Sequence, residues 1–251
     1  MRILLTNDDG FTAPGMQTLR RIAAQLSDDI YIVAPEKEQS GSSRSLTLHD
    51  PIRIHKHADK EYAVEGTPTD CVMMAMNYLF RDERPDLILS GVNRGGNLGE
   101  DVLYSGTVAA ASEGTLLGVR SIALSQCLLD YESFSWETSE MLAPDIIRKV
   151  LDFDWGPDVL VNINFPAVAP DEVKSIDVTH QGKRDLSNLT IDDRIDARGR
   201  QYFWLGYRPA LGVPQKGSDL WAVANGCVSV TPLSLNLTDV PLTQKMQKAF
   251  S

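Results

Sequence analysis

Short apolar runs, each bounded by turn-forming residues, recur along the first 165 residues of the chain. Runs of this length predict strands that are buried on both faces of a parallel sheet. They lie at residues 3–6, 30–34, 86–90, 121–125 and 159–164. Between them stand segments with apolar residues at helical spacing, which begin near Pro14, Thr67, Ser105 and Ser139. Strands and helices that alternate in this way are typical of a doubly wound α/β fold.

The pattern becomes richer in β-strands beyond residue 165. Alternating and aromatic runs there occupy residues 176–179, 202–205 and 228–231. We therefore predict a Rossmann-like, doubly wound sheet in three layers, α/β/α, with a β-rich carboxyl-terminal extension. Residues 1–251 would form a single domain, with residues 1–165 as its core and residues 166–251 as a β-rich subdomain and arm.

An alternating pair of segments, residues 52–57 and 62–64, predicts a hairpin inserted into the α/β pattern. His55 and His57 would share one face of its first strand. We interpret that face as solvated rather than as a metal site, because the sequence offers no third ligand nearby.

The net charge and the cysteines of the chain argue against several classes of partner and of site. The formal net charge of -10 argues against a nucleic-acid or anionic membrane partner, since such partners require a basic surface. The cysteines are Cys71, Cys127 and Cys227, an odd number without a Cys-x-x-Cys pattern, which excludes a disulfide scaffold and a thiolate zinc site. No signal peptide or long apolar run is apparent, so we expect a cytoplasmic protein.

Two adjacent carboxylates and a glycine, Asp8, Asp9 and Gly10, end the first predicted strand. Open α/β sheets bind ligands beyond the carboxyl ends of their strands. Two carboxylates that converge there repel each other unless a cation is present, and hard oxygen ligands select Mg²⁺, Mn²⁺ or Ca²⁺ over metals that prefer soft ligands. The alternative is a solvated turn that precedes a helix.

Further groups that suit a metal or a phosphate follow other strands. The loop after the second strand contains Ser40, a possible hydroxyl ligand, and Gly41, which permits a close backbone approach. The glycine-rich stretch after residue 90 contains Asn93, whose amide oxygen suits a metal, and Asn97, in a backbone suited to folding against an anion.

Ser105, Gly106 and Thr107 begin the alanine-rich helix. Free amides, hydroxyls and the helix dipole at such a position favour phosphate binding. Ordinary helix capping uses the same groups and remains an alternative.

On the basis of these residues, the sequence resembles the stationary-phase survival protein SurE family of nucleotidases. The resemblance rests on residues 6–10, 13–15, 40–41, 45–48, 66–72, 90–93, 97–99 and 104–108, with weaker matches at 162–164 and 228–233. It implies a metal-dependent phosphomonoesterase that hydrolyses nucleoside 5'- and 3'-monophosphates. Asp8, Asp9, Ser40 and Asn93 fall on the family's divalent-metal ligands, which implies one Mg²⁺ or Mn²⁺ per subunit.

The resemblance also implies a homodimer or homotetramer with exchanged carboxyl-terminal arms. The arm of this chain would begin near Leu235, and Leu235, Leu237, Val240 and Leu242 alternate with polar residues there. We expect this apolar edge to find a partner, because no later segment of the chain is left to cover it.

The predicted chemistry is attack by a metal-activated water, with Asp8 or Asp9 as the proton acceptor. The phosphate oxygens would be held by Gly41, Asn97, Ser105, Gly106 and Thr107. Two alternatives remain at this point. A haloacid-dehalogenase-type phosphatase would need an Asp-x-Asp pair that residues 7–9 do not supply. A non-catalytic nucleotide or metal sensor would use the same ligands.

Overall fold

The computed structural model of the protein describes residues 1–129, 132, 134–184, 189–207 and 214–250. These residues form a nine-stranded mixed sheet and a separate two-stranded hairpin. The strands of the sheet are β1 (Arg2–Thr6), β2 (Asp29–Pro35), β3 (Ile54–Ala58), β4 (Glu61–Val64), β5 (Leu87–Arg94), β6 (Arg120–Gln126), β7 (Val159–Phe165), β8 (Ile176–Val178) and β11 (Val228–Ser234). The hairpin pairs β9 (Leu189–Ile195) with β10 (Gln201–Tyr207).

The sheet has the strand order β3-β4-β2-β1-β5-β6-β7-β11-β8. The six strands from β4 to β7 in this order run parallel to one another. At the two ends, β3 is antiparallel to β4, and β11 is antiparallel to β7. Because β2, β1 and β5 are neighbours and parallel, the loops that follow them meet at one edge of the sheet.

Helices cover both faces of the sheet and produce the three layers. They are α1 (Pro14–Ala24), α2 (Pro68–Met74), α3 (Gly106–Leu116), α4 (Glu137–Leu151), α5 (Asp219–Ala224) and α6 (Val240–Phe250). Ile3 and Leu5 of β1 pack with α1 and α4, whereas Leu4 packs on the opposite side with α2 and α3. Burial of each such side chain stabilises the fold by about 1.5 to 3 kcal/mol. The predicted fold class is confirmed.

Several local features of the helices could not be read from apolar spacing alone. α4 continues through Pro144, although a proline inside a helix often breaks or kinks it. The helix after Thr67 changes to a π-helical turn, Ala75–Leu79. The carboxyl-terminal arm is helical from Val240 onward rather than extended: the Asp239 carboxylate caps its first turn by accepting a hydrogen bond from the Leu242 N–H at 2.8 Å.

The second half of the chain contributes to the main sheet. β8 and β11 extend it beyond β7, while β9 and β10 pair only with each other among the described residues. The division of the single domain at residue 165 stays a prediction. No helix in the described part of the chain is long and apolar enough to cross a bilayer.

Candidate metal centre and active site

The turn after β1 presents the two carboxylates. The Asn7 side chain closes it, donating from Nδ2 to the Gly10 carbonyl at 2.9 Å and accepting from the Gly10 N–H at 3.3 Å. Gly10 has φ +107°, which favours glycine. The Gln39 N–H donates to the Asp8 carbonyl oxygen at 2.8 Å, so the turn is also joined to the loop after β2.

Asp8 is only 5% exposed and is held by the start of α3. The Thr107 hydroxyl donates to Asp8 Oδ1 at 2.5 Å. A Cβ added to Gly106 would lie 2.7 Å from the Asp8 Cβ, so only glycine allows this approach. Burial raises the pKa of Asp8, and the hydrogen bond from Thr107 opposes that rise. The charged form of Asp8 therefore depends on Thr107 and on any cation that binds.

Asp9 lies beside Asp8 in a less buried position. Burial, followed by the charge of Asp8, raises the pKa of Asp9 to about 7. The backbone N–H of Arg94 hydrogen-bonds to the Asp9 carboxylate and opposes this rise. Asp9 Oδ2 is buried and has no hydrogen-bond partner among the described residues. An unpartnered buried carboxylate oxygen is costly unless it binds a cation or a proton.

Asn93 lies near the carboxyl end of β5, the neighbour of β1, and so at the same edge of the sheet. Its amide nitrogen donates to the Gly95 carbonyl at 2.8 Å, which commits the nitrogen and directs the amide oxygen elsewhere. Ser40 donates from its hydroxyl to Glu38 Oε1 at 2.9 Å, and Gly41 has φ +77° with open space beside it. Side chains from three loops thus converge at one cleft.

The cleft has a volume of about 870 Å³, within the range of about 300 to 1,000 Å³ that holds small-molecule ligands. Its lining residues are Asp8, Asp9, Thr12, Ala13, Pro14, Gly15, Glu38, Ser40, Gly41, Asn93, Arg94, Gly96, Asn97, Asp101, Tyr104, Ser105, Phe134 and Trp136. Acidic side chains outnumber basic ones in this described lining. A phosphate would be repelled unless a cation neutralised the carboxylates, so the donor set fits a hard divalent metal.

The four predicted metal ligands, Asp8, Asp9, Ser40 and Asn93, therefore line one cleft. Gly41, Asn97 and Ser105 of the predicted phosphate contacts line it as well. Gly106 and Thr107 lie behind Asp8, and the Ser105 hydroxyl caps α3 by accepting from the Val108 N–H at 3.1 Å. The Thr107 hydroxyl is directed to Asp8 instead of the cleft. Phosphate binding by these three residues stays a prediction.

Asn97 is held by two asparagines of β7 that the sequence did not single out as functional. Asn162 and Asn164 donate from their amide nitrogens to the Asn97 carbonyl oxygen at 2.9 and 3.1 Å. Asn164 Oδ1 accepts from the Asn97 N–H at 2.8 Å, and Asn97 Nδ2 donates to the Ser125 hydroxyl at 2.8 Å. The alternating Asn-Ile-Asn of β7 was the available signal, because it places two amides on one strand face.

The second half of the chain supports the same loop through a buried carboxylate. Asp219, the first residue of α5, is 0% exposed. It accepts hydrogen bonds from the backbone N–H groups of Gly99 at 2.8 Å and Gly182 at 2.7 Å. Nearby, Arg184 pairs with Asp101 of the cleft at 2.6 Å. The sequence around Asp219 contains no signal for these distant partners.

A second group of metal-compatible side chains lies outside the cleft. Glu36, His55 and Glu65 place ligand atoms within 4.8 Å of one another. His55 Nε2 lies 2.7 Å from Glu65 Oε1, and Arg53 pairs with the other Glu65 oxygen at 3.3 Å. The guanidinium of Arg53 competes with a cation there. His57 instead stacks on Phe11, with ring centroids 4.7 Å apart.

The fold and the cleft define a class: a Rossmann-like α/β protein with a cluster of oxygen ligands beyond the carboxyl ends of its central strands. Comparison with known proteins specifies the family. The family model described as "Survival protein SurE" matches residues 3–188. The chain belongs to the SurE family.

Relatives and a solved structure agree with this assignment. The chain is 55% identical over 241 residues to a 5'-nucleotidase SurE of Caulobacter vibrioides strain NA1000 / CB15N, a match that covers 95% of this chain and 92% of the relative. It is 50% identical over 253 residues to one of Parvibaculum lavamentivorans, covering 100% and 90%. The crystal structure of the SurE protein from Aquifex aeolicus superposes with a TM-score of 0.86 at 38% identity over 100% of both chains.

Proposed function

We propose that the protein is a metal-dependent phosphomonoesterase that hydrolyses nucleoside 5'- and 3'-monophosphates to nucleoside and phosphate. The observation that carries this proposal is the 55% identity, over 95% of the chain, to a protein named 5'-nucleotidase SurE. The acidic cleft supports it, because its carboxylates suit a divalent cation and not a bare phosphate. The sensor and the haloacid-dehalogenase-type phosphatase are not favoured.

Asp8, Asp9, Ser40 and Asn93 would hold one Mg²⁺ or Mn²⁺ per subunit. When bound, such a cation polarises a phosphoryl oxygen and lowers the pKa of a bound water. The chain's own groups divide the remaining work. Asp8, fixed by Thr107, would serve as an oriented anionic ligand. Asp9, whose buried Oδ2 has no hydrogen-bond partner among the described residues, would bind the cation or accept a proton from the attacking water.

The phosphate would lie against the loop that contains Asn97 and the first turn of α3. Asn97 is fixed by Asn162 and Asn164, so its position needs no reorganisation when substrate binds. Gly41 leaves open space beside its backbone, and Ser105 lines the cleft. These groups would orient the phosphate for attack by water.

Hydrolysis of a nucleoside monophosphate, with and without exhaustive chelation, tests the activity. Asp8→Asn should reduce kcat/KM by more than the roughly 10- to 100-fold loss that follows removal of an outer partner of a metal ligand. Asp59→Asn is the matched control, because it makes the same change at a side chain that is 88% exposed. Full activity after chelation, or near-normal turnover of Asp8→Asn at saturating metal, contradicts the proposal. A trapped aspartyl-phosphate would restore the dehalogenase-type alternative.

The protein would act in the cytoplasm as a homodimer or homotetramer, without a stable nucleic-acid or membrane partner. Its free cysteines, Cys71, Cys127 and Cys227, are all buried, which suits a reducing compartment. Leu237 and Phe250 of the arm are each 85% exposed, and α6 buries none of its residues within the described chain. A second copy of the chain would cover these side chains.

A further inference from the structure

One side of the cleft is aromatic. Phe134 and Trp136, which we call the aromatic wall, both line it. Their ring centroids lie 4.6 Å apart with an interplanar angle of 86°, an edge-to-face arrangement. Trp136 also packs against the core cluster that contains α1 and α4, so the wall is anchored to the scaffold.

Arg94 contacts both the aromatic wall and the carboxylate of Asp9. The backbone N–H of Arg94 hydrogen-bonds to the Asp9 carboxylate, and its guanidinium carbon lies 4.8 Å from the centroid of the Phe134 ring. One arginine side chain thus spans the distance between the carboxylates and the wall.

Gly15, in the first turn of α1, lies close both to Trp136 and to β5. A Cβ added to Gly15 would lie 2.0 Å from the Val92 carbonyl oxygen and 3.1 Å from Trp136 Cη2. The absence of a side chain at Gly15 therefore lets the first turn of α1 pack closely against both Trp136 and β5, the strand that contains Asn93. A side chain at this position would clash with the Val92 carbonyl group of β5.

Other lining residues of the cleft have a different chemistry. Asn97, Asp101 and Ser105 line it with amide, carboxylate and hydroxyl groups. A nucleobase has two apolar faces and stacks on aromatic rings and on guanidinium planes, which contributes roughly tenfold or more in affinity per base. These polar groups suit sugar hydroxyls and phosphate, and the aromatic wall suits the base.

We propose that Phe134 and Trp136, together with Arg94, form the nucleobase subsite of this cleft, and that the wall favours purines over pyrimidines because of their larger stacking area. This inference rests on the proposed nucleotidase function. It assigns substrate selectivity to residues that lie outside the metal and phosphate groups.

Phe134→Leu tests the subsite, because it removes the ring at a partly exposed position and keeps an apolar side chain. The substrates are adenosine 5'-monophosphate and ribose 5-phosphate, which has the same phosphate and sugar without a base. We expect kcat/KM for the nucleotide to fall at least tenfold and that for ribose 5-phosphate to stay within twofold. The preference for adenosine over uridine monophosphate should fall toward unity. Phe153→Leu is the control, since Phe153 is 70% exposed and is not among the described lining residues of the cleft.

Adenosine binding provides a readout that needs no turnover. Its dissociation constant should rise at least tenfold in Phe134→Leu, with the inhibition constant of inorganic phosphate unchanged. Equal losses on both substrates, no loss on either, or a selective loss in Tyr104→Leu in place of Phe134→Leu would each overturn the subsite. If the unmodified protein hydrolyses no nucleoside monophosphate, the proposed function fails, while the adenosine measurement still decides the subsite.

Discussion

Replacement of Thr107 by valine should weaken the metal centre without unfolding the protein. The hydroxyl of Thr107 is fully buried and donates to Asp8 Oδ1 at 2.5 Å. Valine fills nearly the same volume but donates no hydrogen bond, so burial would raise the pKa of Asp8 further. A hydrogen bond to a charged group contributes about 1.5 to 3 kcal/mol, which corresponds to roughly 10- to 150-fold. We expect a loss of this size in the affinity for the activating cation, and kcat/KM should fall with it at subsaturating metal.

Titration of activity against Mn²⁺ or Mg²⁺ measures this effect, with thermal unfolding as the check on the fold. Thr107→Ser is the matched control, because it keeps the donor and removes only a methyl group, and it should retain near-normal metal affinity. Inhibition by inorganic phosphate separates this role from phosphate binding: it should be unchanged in Thr107→Val at saturating metal. A Thr107→Val protein with normal metal dependence, or an equal loss in both variants, would refute the assignment of Thr107 to Asp8.

Two further predictions concern pH and assembly. In the metal-free protein the pKa of Asp9 is about 7 in the folded state, against an ordinary value of 3.8. Between these two pH values the folded state therefore holds a proton on Asp9, whereas the unfolded state does not. The raised pKa contributes at most about 4 kcal/mol to the free energy of unfolding. This contribution is fully present below pH 4 and is lost as the pH rises to 7. A divalent cation should therefore raise the melting temperature more at pH 8 than at pH 5, and an equal rise at both would contradict the argument. Truncation before Asn236 removes the exposed arm and should shift the particle to a smaller mass in sedimentation or light scattering; an unchanged mass would exclude the arm from assembly.

Local signals in the sequence account for the elements around the cleft. Thr67 and Asp70 predicted a capped helix start, and the structure contains the reciprocal hydrogen bonds of that cap. The apolar run of β1 predicted a buried central strand, and Ile3, Leu4 and Leu5 are each 0% exposed. Because parallel strands end at one edge, the position of Asp8, Ser40 and Asn93 at that edge follows from these local patterns, whereas the order in which the strands pair does not.

Long-range pairing has no such local signal. Residues 228–231 were predicted as a strand, but their pattern does not say that β11 inserts antiparallel between β7 and β8. The partners of Thr107 and Asp219 lie 99 and 120 residues away, so nothing in the neighbouring sequence indicated that Thr107 holds Asp8 or that Asp219 holds Gly99. In the arm, the spacing of apolar residues was compatible with an extended edge, whereas the cap at Asp239 produces a helix.

The hydrogen bond between the Gly99 N–H and Asp219 can form only after most of the chain has been synthesised. A nascent chain that has emerged only as far as β7 already contains Asp8, Asp9 and Asn93, and it can pair the central strands. The backbone of Gly99 acquires its buried acceptor only after α5 has been made, and the sheet is extended by β11 later still. A ribosome-bound fragment that ends at β7 would contain every proposed metal ligand and both asparagines that hold Asn97, but it would lack the carboxylate that accepts the Gly99 N–H.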